Sequence, residues 1–464
     1  LCLSFIGRTQ SIVFPDQLAA AYHIALHYQF QEWPVVDPDT IEISHLPYVI
    51  YINSLAATLS RVITAKDPAS DHRDQWERLL NDLDRKDKAV SFVRAETAFH
   101  QSLVHFMNRD AFRSFMQFRV AYRRSEDKEN FGSPKVSATL KIALGSIPEN
   151  YQWIFRLLGY EGDPVLGMQE LDQQIAAKND LSLECQLVKL MFQQYLFDES
   201  TFGDWLGLRA EYADSPMIQF LFNTIALKNH QSQYVIDLQL DSHIDQVYGQ
   251  LGEAYLNKLE YDSALYYFDE YEGNLMANST AEILHKIWLC HTLKGDERKA
   301  SEYKEKLLNI GSSITEADAN ALDHLSIEAP IARELMKVRL TTDGGYYDIS
   351  KQLLERLDTS ATMSDKTSIE LLYRRARLMH LNGNAEAAIP IYKQVLSKSP
   401  ESGWYFAPNT AYLLGRIYQD KSEFEEALRY FNEVGNYRNY PYKSSLNNKA
   451  DLYTRLIESS ITSN

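Results

Sequence analysis

The second half of the chain repeats itself, and a repeat restricts the possible folds more than composition can. "YGQLGEAYLNKLEYDSALYYF" carries Leu251-Gly252, Tyr255, Tyr261, Ala264 and Phe268; "AYLLGRIYQDKSEFEEALRYF" carries Leu414-Gly415, Tyr418, Phe424, Ala427 and Phe431. In both, a tyrosine follows the glycine by three, an alanine comes nine later, and a phenylalanine four after that. "LLYRRARLMHLNGNAEAAIPIYKQVLSKSP" is a third copy, with Ala376, Gly383, Ala388, Tyr392 and Pro400. "KIWLCHTLKGDERKASEYKEKL" is a degenerate one that keeps Gly295 and Ala300. The key alanines are 36 residues apart between Ala264 and Ala300, and 39 between Ala388 and Ala427. Small residues let paired helices approach, and the aromatics fill the space between them. A single such pair cannot bury its apolar face alone, so the copies must stack.

This is the tetratricopeptide pattern, whose period is about 34 residues. Upstream, apolar residues also recur at helical spacing, and only 14 Pro and 19 Gly interrupt 464 residues, which favours long helices. The expected fold is all-α: a helical N-terminal domain of degenerate hairpins over residues 13–240, then a tetratricopeptide α-solenoid, a right-handed superhelix with a closing helix, over 241–464. A chain of this length exceeds one ordinary hydrophobic core, in keeping with that division.

The stretch "SIPENYQWIFRLLGYEGDPVLGMQEL", residues 146–171, sets Gly159, Gly162 and Gly167 among Glu161, Asp163 and Glu170. A phosphate-binding loop would carry a lysine or a GxGxxG spacing, and neither is present. Helix-terminus chemistry accounts for the residues better. Ser146 is expected as an N-cap with Pro148 in the first turn, and Trp153, Ile154, Leu157 and Leu158 as a buried stripe. Gly159 suits a left-handed C-cap with Tyr160 as its apolar contact, and Asp163-Pro164 starts the next helix.

Other chemistry is weakly signalled. The net charge is −16. Between Asp198 and Lys286, 15 acidic residues face 4 basic ones, a local charge of −11. Such a surface repels phosphate backbones, so no nucleic-acid partner is expected. It reads as a solvated acidic face, or as a steering surface for a basic partner. Cys2, Cys185 and Cys290 are far apart, with no zinc or disulfide framework, and read as isolated buried thiols. His23 and His27 share a helical face without the glutamate of HExxH or a nearby third ligand, so no metal is expected. Glu96 and His100 read as a surface i,i+4 pair. Glu425-Glu426 and Asp269-Glu270 lie on repeat helices with no nucleophile motif nearby. No GxSxG, Cys/His couple or P-loop is present, so neither an enzyme nor a cofactor is expected.

The start "LCLSFIGRTQS" resembles the tail of a secretory signal, with residues 1–12 as its remnant and cleavage near Thr9-Gln10. Export to the periplasm or cell envelope is expected, with a cytoplasmic protein as the alternative. The longest uncharged run, Ile43 to Ser60, contains Ser44, His45, Pro47, Asn53 and Ser54 and is too polar for a transmembrane segment.

A stack of repeats acts through its inner wall, built by the first helix of each repeat. Template positions place there Glu370, Tyr373, Arg377 and His380 of the third copy and Asn409, Tyr412, Arg416 and Gln419 of the last. The first copy contributes Gln246, Gly249, Glu253 and Leu256. The Lys/Asn clamp that some tetratricopeptide domains use for a C-terminal carboxylate is absent. Arg377 and Arg416 are instead placed to pair an acidic group, and with Tyr412 they are expected to contribute most to binding. The function expected is a scaffold for a protein or peptide partner. The alternative is an exported helical protein that binds a small ligand or glycan.

Three stretches carry a closer likeness. They are "ALGSIPENYQWIFRLLGYEGDPVLGMQEL", "VRAETAFHQSLVHF" and "FAPNTAYLLGRIYQDKSEFEEALRYFNEVGNYRNYPYKSSLNNKADLYTRLI". Together they resemble the tetratricopeptide repeat protein 39 / inclusion-body clearance family over most of residues 90–458, with Tyr160 where that family has Phe. The resemblance implies an all-helical, non-enzymatic adaptor linked to protein quality control or lipid handling.

Overall fold

A computed structural model describes residues 12–64, 66–126, 131–147, 158–239, 243–274, 281–309, 330–357, 363–399 and 403–462. Among these residues there are twenty-two α-helices and no strand. The chain divides into two compact units, residues 1–222 and 223–464. Residues 1–11, which hold Cys2 and all but the last residue of the expected signal remnant, lie outside the described residues.

The first unit is built on α2 (Leu46–Thr64) and α4 (Lys88–Met107), which pack together and are buried along most of their length. Around them lie α1 (Asp16–Leu26), α3 (Arg73–Asp82), α5 (Ala111–Ser125), α6 (Pro134–Gly145), α7 (Pro164–Ala176), α8 (Ser182–Tyr195) and α9 (Phe202–Glu211). The segment Ile43–Thr64 is long and apolar enough to cross a membrane, but 72% of its most apolar window is buried inside the fold. It is the core helix of this unit. Side-chain caps start several helices: Asp87 accepts from Val90 N (3.0 Å), Asp110 from Arg113 N (3.0 Å) and Ser133 from Val136 N (3.2 Å).

The glycine-rich corner joins α6 to α7. Asp163 accepts from Leu166 N (2.9 Å), with Pro164 in the first turn, as the expected N-cap requires; Gly159 has the left-handed φ of +80°, and the helix it is expected to close lies outside the described residues. Gly162 and Gly167 have a further role, which is close approach. A Cβ at Gly162 would lie 2.0 Å from Gly145 N, and one at Gly167 would lie 2.6 Å from Ile142 Cγ1. These glycines let α7 and its lead-in press against α6. Tyr160 is buried and meets Phe118 and Tyr122 edge-on. Two expectations change. Ser146 ends α6, its hydroxyl donating to Ile142 O at 2.6 Å, and Leu158 is exposed. Pro148, Trp153, Ile154 and Leu157 lie outside the described residues.

The second unit is a run of helical hairpins. They are α12 (Gln246–Asn257) with α13 (Tyr261–Asn274), α14 (Ala281–Lys294) with α15 (Glu297–Asn309), and α16 (Pro330–Asp343) with α17 (Tyr347–Arg356). Then come α18 (Asp365–Leu381) with α19 (Ala385–Lys398), and α20 (Phe406–Asp420) with α21 (Phe424–Val434), closed by α22 (Lys443–Thr462). The repeat template appears directly as contact. A Cβ on Gly252 would lie 2.5 Å from the Phe268 ring, and one on Gly415 2.6 Å from Phe431. Ala264, Ala388 and Ala427 are fully buried, and Gly295, Gly345 and Gly383 turn the hairpins at φ 82–85°.

Helix α10 (Pro216–Lys228) spans the division between the units, and α11 (Ser232–Asp237) follows it. Residues 223–239, read from sequence with the N-terminal domain, therefore pack with the repeats. Ser232 N donates to Gly344 O (3.2 Å), and Asn257 donates to the Ser232 hydroxyl (3.1 Å). The segment bridges α12 and α16, contacts that no local pattern announces.

Candidate partner-binding pocket

Helices α16, α18 and α20 stand side by side as the first helices of three successive hairpins. Where they meet, Arg339, Asp343, Tyr373, Arg374, Arg377, Tyr405 and Asn409 line a cavity of about 220 Å³, with Pro441 and Tyr442 at its edge. The helical period puts Tyr373 and Arg377 on one face of α18, and Asn409 faces them from α20. Asn409 donates to the Tyr373 hydroxyl at 2.8 Å.

The three arginines differ in how they are compensated. Arg374 is buried, donates to Glu370 Oε1 at 2.8 and 3.2 Å, and lies over the Tyr373 and Tyr405 rings. Burial works against its charge, but Tyr405, Glu370 and Tyr373 outweigh that and raise its pKa. Arg339 has Asp343 at 3.6 Å. Arg377 is half-buried and has no carboxylate in ion-pair range among the described residues. Its Nη2 meets His230 Nε2 at 3.4 Å, while His230 Nδ1 lies 3.0 Å from Asp343 O. That geometry suits a neutral His230 donating from Nδ1, and burial together with the Arg377 charge lowers its pKa. His380 lies beyond Arg377, 3.3 Å from the Tyr392 hydroxyl; burial, then the Arg377 charge, pushes it down to about 4. A partly desolvated guanidinium with no carboxylate within ion-pair distance among the described residues is suited to an anion.

The eight expected wall residues are thus divided. Glu370, Tyr373, Arg377 and Asn409 meet in or beside this cavity. Tyr373 and Tyr412 are only 2% and 5% exposed, which corrects the expectation that they offer contact area. Tyr412 faces Phe431 and Tyr453 in the apolar core of the last repeat. Arg416 is not brought to Arg377; its guanidinium lies 4.2 Å from the Tyr453 ring of α22 and donates to that hydroxyl. Gln419 is half-buried farther along α20. In the first copy, Gly249 and Leu256 are buried, while Glu253 accepts from Lys286 of the next repeat at 2.6 Å. Arg339 was missed because its repeat went unrecognised in the sequence, and Arg374 and Tyr405 because they lie outside the template's wall positions.

A second polar cluster, in the first unit, also escaped the sequence reading. Lys135 bonds Glu184 Oε2, and Glu184 Oε1 accepts from Tyr22 (2.6 Å) and Tyr51 (2.7 Å). Glu96 Oε2 lies 3.0 Å from Lys135 as a charge contact without hydrogen-bond alignment, and Glu96 Oε1 accepts from Ser133 at 2.5 Å. Glu96 and His100, expected on the surface, are buried at 0% and 4% exposure, because their face of α4 turns toward α2 and α6. Burial raises the Glu96 pKa against the pull of Lys135 and drives that of His100 far down. Lys135 stays charged: the two carboxylates outweigh its own desolvation. His23 is exposed and His27 buried, their rings 4.0 Å apart. Among the described residues no group of three or more His, Cys, Asp or Glu is placed to hold a metal. Cys185 and Cys290 are buried free thiols.

A family model described as tetratricopeptide repeat matches residues 370–402, which covers most of the α18–α19 hairpin. None of the curated proteins compared with the chain matches it. The helices and this match together make the protein an all-α chain with a tetratricopeptide repeat among the stacked helical hairpins of its second unit.

Proposed function

We propose that this chain is a non-enzymatic scaffold that holds a protein partner on the inner wall of its repeats, with an acidic group of the partner seated beside Arg377. One observation carries the reading. Among the described residues Arg377 opens onto the cavity with no carboxylate within ion-pair distance, whereas its neighbours Arg374 and Arg339 each have one. A planar guanidinium in a partly desolvated pocket gains most from a bidentate carboxylate. The tetratricopeptide match supports a protein partner. The likeness to the tetratricopeptide repeat protein 39 / inclusion-body clearance family extends the proposal to an adaptor role.

The test is a pull-down with the intact chain, identification of the bound proteins, and titration of the captured partner against Arg377→Ala. The expected loss is tenfold or more, ~1.4 kcal/mol, with helicity unchanged. Arg416→Ala should instead lower thermal stability, because it removes the stack on Tyr453. Wild-type affinity in Arg377→Ala would remove the pocket from the binding surface. Export is proposed alongside. Cleavage near Thr9-Gln10 would leave Ile12 and Phe14, both core residues, with the folded unit. An intact N-terminus recovered in the cytoplasmic fraction would count against it.

A further inference from the structure

Two helices of opposite charge present exposed aromatic residues among charged ones. Helix α5 carries four arginines and no acidic residue, although the whole chain is at −16. Only Ala121 and Ser125 of its 15 residues are buried. Arg119 and Arg124 are turned inward, to the Tyr160 hydroxyl (2.8 Å) and Glu77 (2.6 Å). Arg113 and Arg123 remain exposed, and Arg113 shares Asp110 at 3.4 Å. Beside them Phe112 is 74% exposed and Met116 42%, and Phe106 across the turn from α4 is 72% exposed. The i,i+4 spacing of Phe112 and Met116 makes one continuous apolar strip edged by guanidinium groups.

Helix α13 is its counterpart. It carries four acidic residues and no basic one. Asp262, Tyr266, Asp269 and Glu270 are exposed on one face, with Tyr266 at 59%. Lys294 pairs with Asp262, which stays 82% exposed. An aromatic strip edged by arginines and a tyrosine edged by carboxylates complement each other in sign, in length and in apolar content. Aromatic and arginine side chains also dominate interface cores.

We infer that α5 of one copy docks on α13 of a second copy of this chain. The contact is heterologous: one copy uses α5 and the other α13, so the pair keeps one α13 face and one α5 face free. Association therefore proceeds beyond the dimer, and because charge pairs set its rate and register it weakens with salt.

Sedimentation of the full chain tests this. At ~0.02 M salt the average mass should rise with concentration past twice the 53.5 kDa protomer, and at ~0.5 M salt it should return to the protomer. Arg113→Glu with Arg123→Glu destroys the basic face, and Asp269→Lys with Glu270→Lys destroys the acidic one. All four side chains are exposed, so melting curves should match wild type. Each variant alone should be monomeric. Mixed, they should form a 1:1 dimer and nothing larger, because one intact face of each kind remains. Three outcomes overturn the inference: a wild type monomeric at low salt, variants that assemble like wild type, or a mixture that stays monomeric. A monomeric wild type that sediments with phosphatidylglycerol vesicles, but not with phosphatidylcholine vesicles, would assign α5 to an anionic lipid surface instead.

Discussion

Gly159 and Gly162 stand three residues apart and are glycine for different reasons. Gly159 holds φ +80° with nothing within 4 Å of a would-be Cβ, so Gly159→Ala meets only backbone strain, about 1 kcal/mol. At Gly162 the new Cβ would strike the backbone of Leu144 and Gly145, and helix packing must give way. Gly162→Ala should cost more, in the range of about 1–3 kcal/mol for overpacking. Urea unfolding of the two variants checks the order, and equal losses would show that the α6–α7 contact yields. Histidines set a second residue-scale expectation. Burial lowers His27 and His380 from 6.5 to about 4. The unfolded chain therefore binds more protons than the native one below 6.5. Their contribution to stability is complete above that pH and is lost as pH falls toward about 4. His27→Gln should make the melting temperature fall less steeply than wild type over that window.

At the scale of elements, helices pair in two different ways. Most hairpins of the second unit use the small-residue and aromatic template, as Gly252 with Phe268 and Gly415 with Phe431 show. The α16–α17 hairpin uses hydroxyls instead. Ser350 is fully buried and bonds Thr341 (2.7 Å) and Thr342 (3.0 Å). Ser350 lies 38 residues before Ala388, the ordinary repeat spacing, so this repeat was legible by period but hidden by composition. In the first unit, Lys135 ties α6 to α4 and α8 through Glu96 and Glu184. Lys135→Met leaves two buried carboxylates facing each other, at a cost of about 3–5 kcal/mol. Lys141→Met removes partly exposed pairs with Glu170 and Glu126 and should cost about 0–1 kcal/mol. Chemical denaturation of both variants gives the comparison, and similar losses would mean that water reaches Lys135.

At the scale of the molecule, a repeat array couples mainly neighbour to neighbour, so damage at one end should stay there. Helix α22 closes the array: Tyr453 stacks on Phe431 and carries Arg416 over its ring. Removing residues 443–464 uncovers Tyr412 and Phe431. Hydrogen exchange should quicken in α20 and α21 while the α12–α13 hairpin keeps its protection. Uniformly faster exchange would indicate global cooperativity.

Sequence by itself determined the all-helical class, the repeats, their small–aromatic pairs, the cap at Asp163 and the left-handed backbone of Gly159. Each of these rests on residues within a helical turn or one hairpin of each other, where period and local backbone chemistry decide the outcome. Tertiary structure decided what the wall positions do. Template spacing put Tyr373, Arg377, Tyr412 and Arg416 on one side of their helices, but neighbouring helices chose which of them meet solvent. Tyr412 went to the core, Arg416 went under Tyr453, and Arg377 was left facing a cavity with Arg339 and Arg374 beside it. The Lys135 cluster is the same case. Glu96 and Glu184 approach that lysine from 39 and 49 residues away, and an i,i+4 pattern on one helix carries no information about what packs over it.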